Sequence, residues 1–373
     1  MPRPYRFLLA AWGAALLLAA GAARAAGQAP DAPNGYPELL SAAKLLEESR
    51  WFREALQPGA TLSQKRRAVA DREVREALAL LRRGLDRPVF PPEPRTEEAA
   101  LGELSSLRSL GRLVMLQQYV LLADGRVQDA LHTARLGLRL GHAVKAQSLT
   151  GGLVGIGISS GGIREMGKHL AQLSVSDCRL LSQICAEWLA KPDPLPGMLE
   201  AEWQKVRRNL AEQQKMAAAA APDTAAQAQA LFAGIEKEAE GVFQRLHAEL
   251  RKPAWERKPL ELPQGDSPGA AVAALLVPVV ENAMEGFARE EAYVRLLAVH
   301  AAILSYRWEQ NKLPAALAEL NLGALALDPF SGQPFQYKTL NPRRYELLSA
   351  GPKAKADDPN AVNGRVPLSV VPE

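Results

Sequence analysis

The stretch GGLVGIGISSGG, residues 151–162, decides the fold of this chain because two incompatible interpretations meet in it. Residues 157–161 fit the G-x-S-x-G pattern of a hydrolase nucleophile elbow, with Ser159 as the nucleophile. Such an elbow needs a strand before the serine and a helix after it, within a parallel sheet. In the other interpretation the whole tract is one helix.

A helical period explains the tract without further requirements. Small side chains recur at intervals of four and three residues, at Ser148, Gly152, Gly155, Ser159 and Gly162. This spacing places them on one helix face, where a second helix can approach closely. Each glycine costs a helix about 1 kcal/mol relative to alanine, so burial must hold this helix together. We therefore predict a buried packing helix.

The flanking sequence disfavours the elbow. Strands do not alternate with helices upstream of Ser159, as an α/β sheet requires. The partners that a triad could use are Asp193, Asp223, Asp266, His247 and His300. His300 lies inside the helical run VRLLAVHAAILSY, which is an unfavourable place for a catalytic loop residue. An exported serine hydrolase that uses Ser159 stays open as an alternative.

Helical periodicity extends over most of the chain. It runs from Tyr36 to Lys191, and one apolar stripe is formed by Val74, Ala77, Leu78, Leu81 and Leu85. Ser174 and Asp177 have the spacing of a capping box. Strand signals occur near the C-terminus. We predict a mainly α fold, in which a helical-bundle body carries a small C-terminal α+β unit.

The C-terminal unit is predicted to be a long helix followed by a β-hairpin. Glu290 and Glu291 are expected at the start of that helix, where acids suit the helix dipole, and Asn311 at its end. A short helix, AALAEL, and then the alternating segments PFQYKT and RYELLSA follow. The predicted organisation is a signal peptide (1–25), a helical domain (26–251), a linker (252–269) and the C-terminal unit (270–373).

The first residues indicate export. Arg3 and Arg6 precede an apolar stretch that ends near Ala20, and Ala23-Arg24-Ala25 has the small-x-small pattern of a cleavage site. We expect cleavage after Ala25 and a periplasmic or secreted protein without a transmembrane span. The uncharged run 146–163 and the apolar run 269–280 are expected to be core segments.

Charge and composition argue against several classes of function. The full chain carries a net charge of +4, and residues 1–25 hold three arginines and no acid, so the remainder carries +1. Nucleic-acid binding is therefore not expected. Cys178 and Cys185 lie about 10 Å apart along one predicted helix, which favours two buried thiols over a disulfide. Zinc spacings and nucleotide-binding motifs are absent from the sequence, so no cofactor is expected.

Three C-terminal stretches carry a family resemblance. They are residues 306–314, the string DPFSGQPFQY at 328–337, and Ser349-Ala350-Gly351. Their order resembles the globular domain of the major pseudopilin of type II secretion systems, over about 80 of the 373 residues. The resemblance implies a partner protein in the cell envelope. Because a prepilin cleavage motif and assembly helix are missing, we do not expect a fibre subunit.

The same family has a calcium loop after its S-x-G segment. Here Lys353 and Lys355 occupy that stretch, and the nearest oxygen ligands are Asp357, Asp358 and Asn360. Ammonium groups repel a hard cation, so we expect a solvated acidic loop and keep calcium as a less favoured alternative.

These observations favour an exported, non-enzymatic helical protein that acts as an interaction or accessory module of the envelope or of secretion. We expect its partner to contact the turn Ser331-Gly332-Gln333. The alternatives are the serine hydrolase and a carrier of apolar ligands, which a helical bundle can enclose between its helices.

Overall fold

The computed structural model describes residues 33–91, 97–261, 267–354 and 358–371. The predicted signal peptide (1–25), Asp266, Lys355 and Asp357 lie outside the described residues. Within the described ranges the chain forms eleven α-helices and one two-stranded antiparallel sheet. The predicted mainly α fold with a small C-terminal helix-plus-hairpin unit is therefore confirmed.

The elements are numbered in chain order. The helices are α1 (Tyr36–Glu48), α2 (Arg50–Ala55), α3 (Leu62–Ala70), α4 (Arg72–Leu85), α5 (Glu97–Ala123), α6 (Val127–Lys145), α7 (Leu149–His169), α8 (Val175–Leu189), α9 (Leu195–Ala220), α10 (Ala225–Leu250) and α11 (Pro268–Gln310). The strands are β1 (Gln336–Asn341) and β2 (Arg344–Leu348). Short 3-10 helices include Ala254–Glu256, Leu317–Leu320 and Gly323–Ala326.

Local sequence explains where several helices begin and end. The apolar stripe of α4 is buried as its spacing predicts. The capping box of α8 is present, with the Ser174 hydroxyl accepting from the Asp177 N–H at 3.2 Å and the Asp177 carboxylate accepting from the Ser174 N–H at 3.0 Å. Asn311 ends α11 in the left-handed conformation, at φ 53°. The short helix predicted for AALAEL is a 3-10 helix, Leu317–Leu320.

The glycine-rich tract is helical throughout α7, which confirms the prediction from its small-residue stripe. Gly155 and Ser159 of this stripe pack against α6, whereas Gly152 lies against Met198 and Phe287. A Cβ added to Gly141 of α6 would lie 2.7 Å from the Gly155 carbonyl oxygen and would overlap the Ser159 hydroxyl. The two backbones therefore approach more closely than alanine would allow, and the space next to Gly141 is filled by α7.

Helix α11 connects the α9–α10 pair with the central cluster and the C-terminal hairpin. It runs for 43 residues through Pro278. Its first half packs with α9 and α10, and its second half packs with α6, α7, α8 and the hairpin. The predicted boundaries at residues 251 and 270 stay a prediction. Glu290 and Glu291, however, lie in the middle of this helix, so the expectation that they begin it is wrong.

Helix α11 also has the composition of a possible membrane span. Among the described helices it is the one that is long and apolar enough to cross a membrane, over Gly269–Gln310. This is weak evidence, because the core helix of a soluble protein meets the same criteria. In the segment predicted to be core, Val272, Ala273, Val277 and Val280 are buried.

The C-terminal hairpin packs onto α11. Tyr337 pairs with Leu347 and Thr339 with Tyr345 across the two strands. The Tyr345 hydroxyl lies 2.8 Å from Nδ1 of His300. Residues near the end of the chain return to the body, where the Val370 carbonyl lies against Gly167 of α7. The unit is thus joined to the main core.

Candidate functional site

A cavity of about 550 Å³ opens where the helical body meets the C-terminal unit. Its lining comes from separate parts of the chain: the end of α6, the end of α8 with the loop that follows, the segment after α10, the middle of α11 and the turns before the hairpin. Ligand sites often lie at such junctions, and this volume is typical of a small-molecule pocket.

Lys145 forms the floor of the cavity, and its buried ion-pair partner Glu290 lies behind it, outside the lining. The Lys145 ammonium donates to the Glu290 carboxylate at 2.6 Å, and their side chains are 1% and 0% exposed. The ammonium also lies 4.8 Å from the ring centre of Trp188 and 5.4 Å from that of Phe287. Ring faces attract cations, so these aromatic walls help to offset the desolvation of Lys145.

Ser159 lies beside this ion pair. Burial raises the pKa of Glu290, while the charge of Lys145 and hydrogen bonding from Lys145 and Ser159 oppose that shift. The Ser159 hydroxyl nevertheless does not reach ordinary hydrogen-bond geometry with any described group.

Arg295 joins α11 to the C-terminal unit at one wall of the cavity. Its guanidinium donates to the carbonyl oxygens of Ala324 at 2.9 Å and Leu327 at 2.8 Å. It also pairs with Glu291, four residues earlier on the same helix. Its Nε has no hydrogen-bond partner among the described groups, and neither has Nε1 of Trp188. Two buried donors thus stay unpaired in residues that line the cavity.

Two further cations stand nearer the opening. Arg257 donates through Nε to the Lys252 carbonyl at 3.0 Å, and burial lowers the pKa of its guanidinium. Lys191 is exposed and forms no ion pair or side-chain hydrogen bond within the described part of the chain. The pKa of Lys191 is lowered by partial desolvation, and next by the charges of Arg139 and Lys145.

His142 adds a neutral group to the lining. Burial, followed by the charges of Lys191 and Lys145, lowers the pKa of His142 to about 4. At pH 7 its imidazole therefore carries no charge, so one ring nitrogen donates a hydrogen bond and the other accepts one. The cavity combines this group with aromatic faces and several cations, which suits ligand binding.

The structure removes the geometric basis of the elbow at Ser159. An elbow serine stands on a sharp turn after a strand, whereas Ser159 lies inside α7 and is 1% exposed. The two histidines that could serve as its base have other neighbours. His300 contacts Tyr345, and Nε2 of His247 lies 3.5 Å from Glu200. Of the possible acids, Asp193 lines the cavity and Asp223 lies in a turn before α10.

The predicted interaction turn is only partly accessible. Gly332 has φ 68° and lies against the ring of Trp255, and the Ser331 hydroxyl accepts from the Gln333 N–H at 3.2 Å. Ser331 and Gly332 are half-buried, so Gln333 is the exposed residue of the three. A partner that binds this turn would therefore contact mainly Gln333.

Asp328 connects two of the stretches that carry the pseudopilin resemblance. Its carboxylate is 1% exposed and accepts from the Ser349 hydroxyl at 2.8 Å and the Ala350 N–H at 2.7 Å. It also accepts from the Phe330 N–H at 3.0 Å. A single buried carboxylate thus holds the DPFSG turn and the Ser-Ala-Gly segment together.

The calcium alternative stays untested. Asp358 accepts from the Asn360 N–H at 2.9 Å, and Asp357 is outside the described residues. In the parts of the chain that the structure describes, no three acidic, histidine or cysteine side chains are grouped to hold a metal.

Sequence patterns did not reveal the cavity. No sequence prediction concerned Lys145, and Glu290 was expected at a helix start. The one available signal was a lysine in an otherwise apolar face of α6, since lysine is rarely fully buried unless it is paired. No family model, curated protein or solved structure matches this chain.

Proposed function

We propose that this chain is an exported, non-enzymatic binding protein of the cell envelope, and that its ligand occupies the cavity beside Lys145. The observation that carries the proposal is a cavity of about 550 Å³ whose walls mix aromatic faces with charged side chains. Binding pockets combine a mostly apolar lining with a few polar groups that fix the ligand's orientation. Two hypotheses from the sequence are thus combined: an exported accessory protein, and a carrier of apolar ligands.

The surroundings of Ser159 favour binding over turnover. Its hydroxyl faces a seam between α6 and α7, where Gly141 leaves no room for a substrate. The cavity cations Lys145 and Arg295 are already engaged with Glu290 and Glu291. Because both cations are held in ion pairs, their positions are fixed, as the charged groups of a binding site need to be.

Native mass spectrometry of the full chain tests this proposal. We expect the protein purified from its producing cells to retain a small molecule that denaturation releases. Ala288→Leu adds bulk to a buried cavity residue of α11 and should reduce the retained mass. Ala274→Leu, at an exposed position of the same helix, is the matched control. Equal retention in the two variants would place the ligand elsewhere, and retention of nothing together with failure to bind added amphiphiles would refute the proposal.

A second function, docking to a secretion-system protein, is favoured by the Asp328 contacts. They join two of the stretches shared with major pseudopilins. Biolayer interferometry would measure the affinity of the full chain for the purified globular domain of a major pseudopilin. Gln333→Arg should weaken binding, whereas Gln227→Arg on exposed α10 should not. Absence of binding, or equal binding by both variants, would contradict docking through this turn.

A further inference from the structure

The charges around the cavity leave one positive charge unmatched. Four cationic side chains line it, at Lys145, Lys191, Arg257 and Arg295. Three carboxylates face them: Asp193 and Glu291 in the lining, and Glu290 behind Lys145. His142 is neutral at pH 7 because its pKa is lowered to about 4. The partly desolvated site therefore favours a ligand with one compensating negative charge.

The unmatched charge lies on one side of the cavity. Glu290 neutralises Lys145, and Glu291 neutralises Arg295. Lys191 and Arg257 remain, and Asp193 can balance the charge of only one of them. Within the described residues neither Lys191 nor Arg257 forms an ion pair, and the guanidinium of Arg257 donates to the carbonyl oxygens of Lys252 and Leu250. Ammonium and guanidinium groups bind carboxylates and phosphates with charge-assisted hydrogen bonds.

The rest of the lining is apolar or aromatic. Trp188 and Phe287 flank the floor, and Leu189, Leu322 and Leu325 complete the walls. A small polar ion would not cover these apolar surfaces, which would stay in contact with water. A ligand with an apolar body removes these surfaces from water, which favours binding.

We propose that the cavity binds amphiphilic monoanions, with a carboxylate head at Lys191 and Arg257 and an apolar body against Trp188 and Phe287. This inference rests on the proposed binding function and names its ligand class. Polyanions such as nucleoside triphosphates are excluded from this class, because one unmatched positive charge cannot neutralise several negative charges in a partly buried site. Cationic amphiphiles would add to the existing positive charge.

Isothermal titration of the purified full chain with four ten-carbon probes tests the inference. The probes are decanoate, decyl phosphate, decyl glucoside and decylammonium, which share a chain and differ in head charge. We expect decanoate to bind about tenfold more tightly than decyl glucoside, and decylammonium to bind most weakly. Decyl phosphate carries about two negative charges at pH 7 and should bind more weakly than decanoate; tighter binding of decyl phosphate would contradict the single unmatched charge.

Variants at the opening locate the head group. Lys191→Met should weaken decanoate binding about tenfold and leave decyl glucoside binding unchanged. Lys44→Met, an exposed lysine on α1, is the matched control. Asp193→Asn keeps the oxygen that accepts from the Leu195 N–H at 3.0 Å but removes a negative charge, so it should tighten decanoate binding about threefold.

The outcomes separate this inference from the proposed function. Glucoside or decylammonium binding as tight as decanoate binding would overturn the monoanion inference while leaving a ligand cavity. Tight decanoate binding that neither Lys191→Met nor Asp193→Asn changes would overturn the placement of the head group. Binding of none of the four probes would refute the inference and the proposed function together.

Discussion

The Lys145 ammonium and the Glu290 carboxylate meet at 2.6 Å, although 145 positions separate the two residues and almost none of either side chain reaches water. Their contact fixes α6 against the middle of α11 at the floor of the cavity. A buried pair of this kind contributes little net stability compared with apolar residues, but removal of one partner leaves an uncompensated buried charge.

Lys145→Met should therefore destabilise the protein by about 3–5 kcal/mol at pH 7. The double variant Lys145→Met/Glu290→Leu should regain most of that loss, because it removes both buried charges. Urea unfolding of the two variants and the parent protein measures the difference. Equal destabilisation in the single and double variants would show that the packing, and not the isolated charge, causes the loss.

The seam between α6 and α7 predicts opposite effects for two glycine substitutions. Gly141→Ala places a methyl group against the Gly155 carbonyl and the Ser159 hydroxyl, so it should cost about 1–3 kcal/mol. Gly157→Ala on α7 meets nothing within 4 Å and should stabilise the protein by up to about 1 kcal/mol through helix propensity. Thermal and urea unfolding measure both. A neutral or stabilising Gly141→Ala would contradict the close approach of the helices.

His142 should make the protein sensitive to mild acid. Its pKa is lowered from 6.5 to about 4 in the folded protein, so below pH 6.5 the unfolded chain binds more protons than the folded one. Stability from this group is complete above pH 6.5 and is lost as the pH falls towards 4. His142→Gln should flatten the stability curve in that window by up to about 3 kcal/mol. The exposed His132→Gln is the control, and parallel curves for parent and His142→Gln would refute the assignment.

Both cysteines should resist modification in the folded protein. Burial raises the pKa of Cys178 to about 11 and that of Cys185 to about 12, and both thiols are buried and free. Because the thiolate is the reactive form, an aromatic disulfide reagent at pH 8 should label neither residue until denaturant is added. Rapid labelling of the folded protein, or labelling of fewer than two thiols after unfolding, would contradict this arrangement.

The helical fold was predictable because its signals are local. The spacing of small residues in 148–162 predicts a packing helix, and the capping box at Ser174 predicts where α8 begins. The hairpin follows from two alternating segments and the turn between them. Each of these features depends on residues within one element, which is the range over which periodicity and capping act.

The cavity was not predictable because its groups come from distant segments. Lys145 and Glu290 become neighbours only when α6 packs on α11, and neither helix alone indicates that contact. Pro278 added a second difficulty, since proline usually ends or kinks a helix. The helix instead continues through Pro278, which shifts Glu290 from an expected helix start to a buried position in its middle.

The packing of the Val370 carbonyl against Gly167 has a consequence for folding. Val370 belongs to the same central cluster as Leu131 and Leu181, so that cluster is incomplete until the segment around Val370 has packed against it. Contacts between segments so far apart close late, because loop-closure entropy must be overcome first. We therefore expect the central cluster to be completed late in folding.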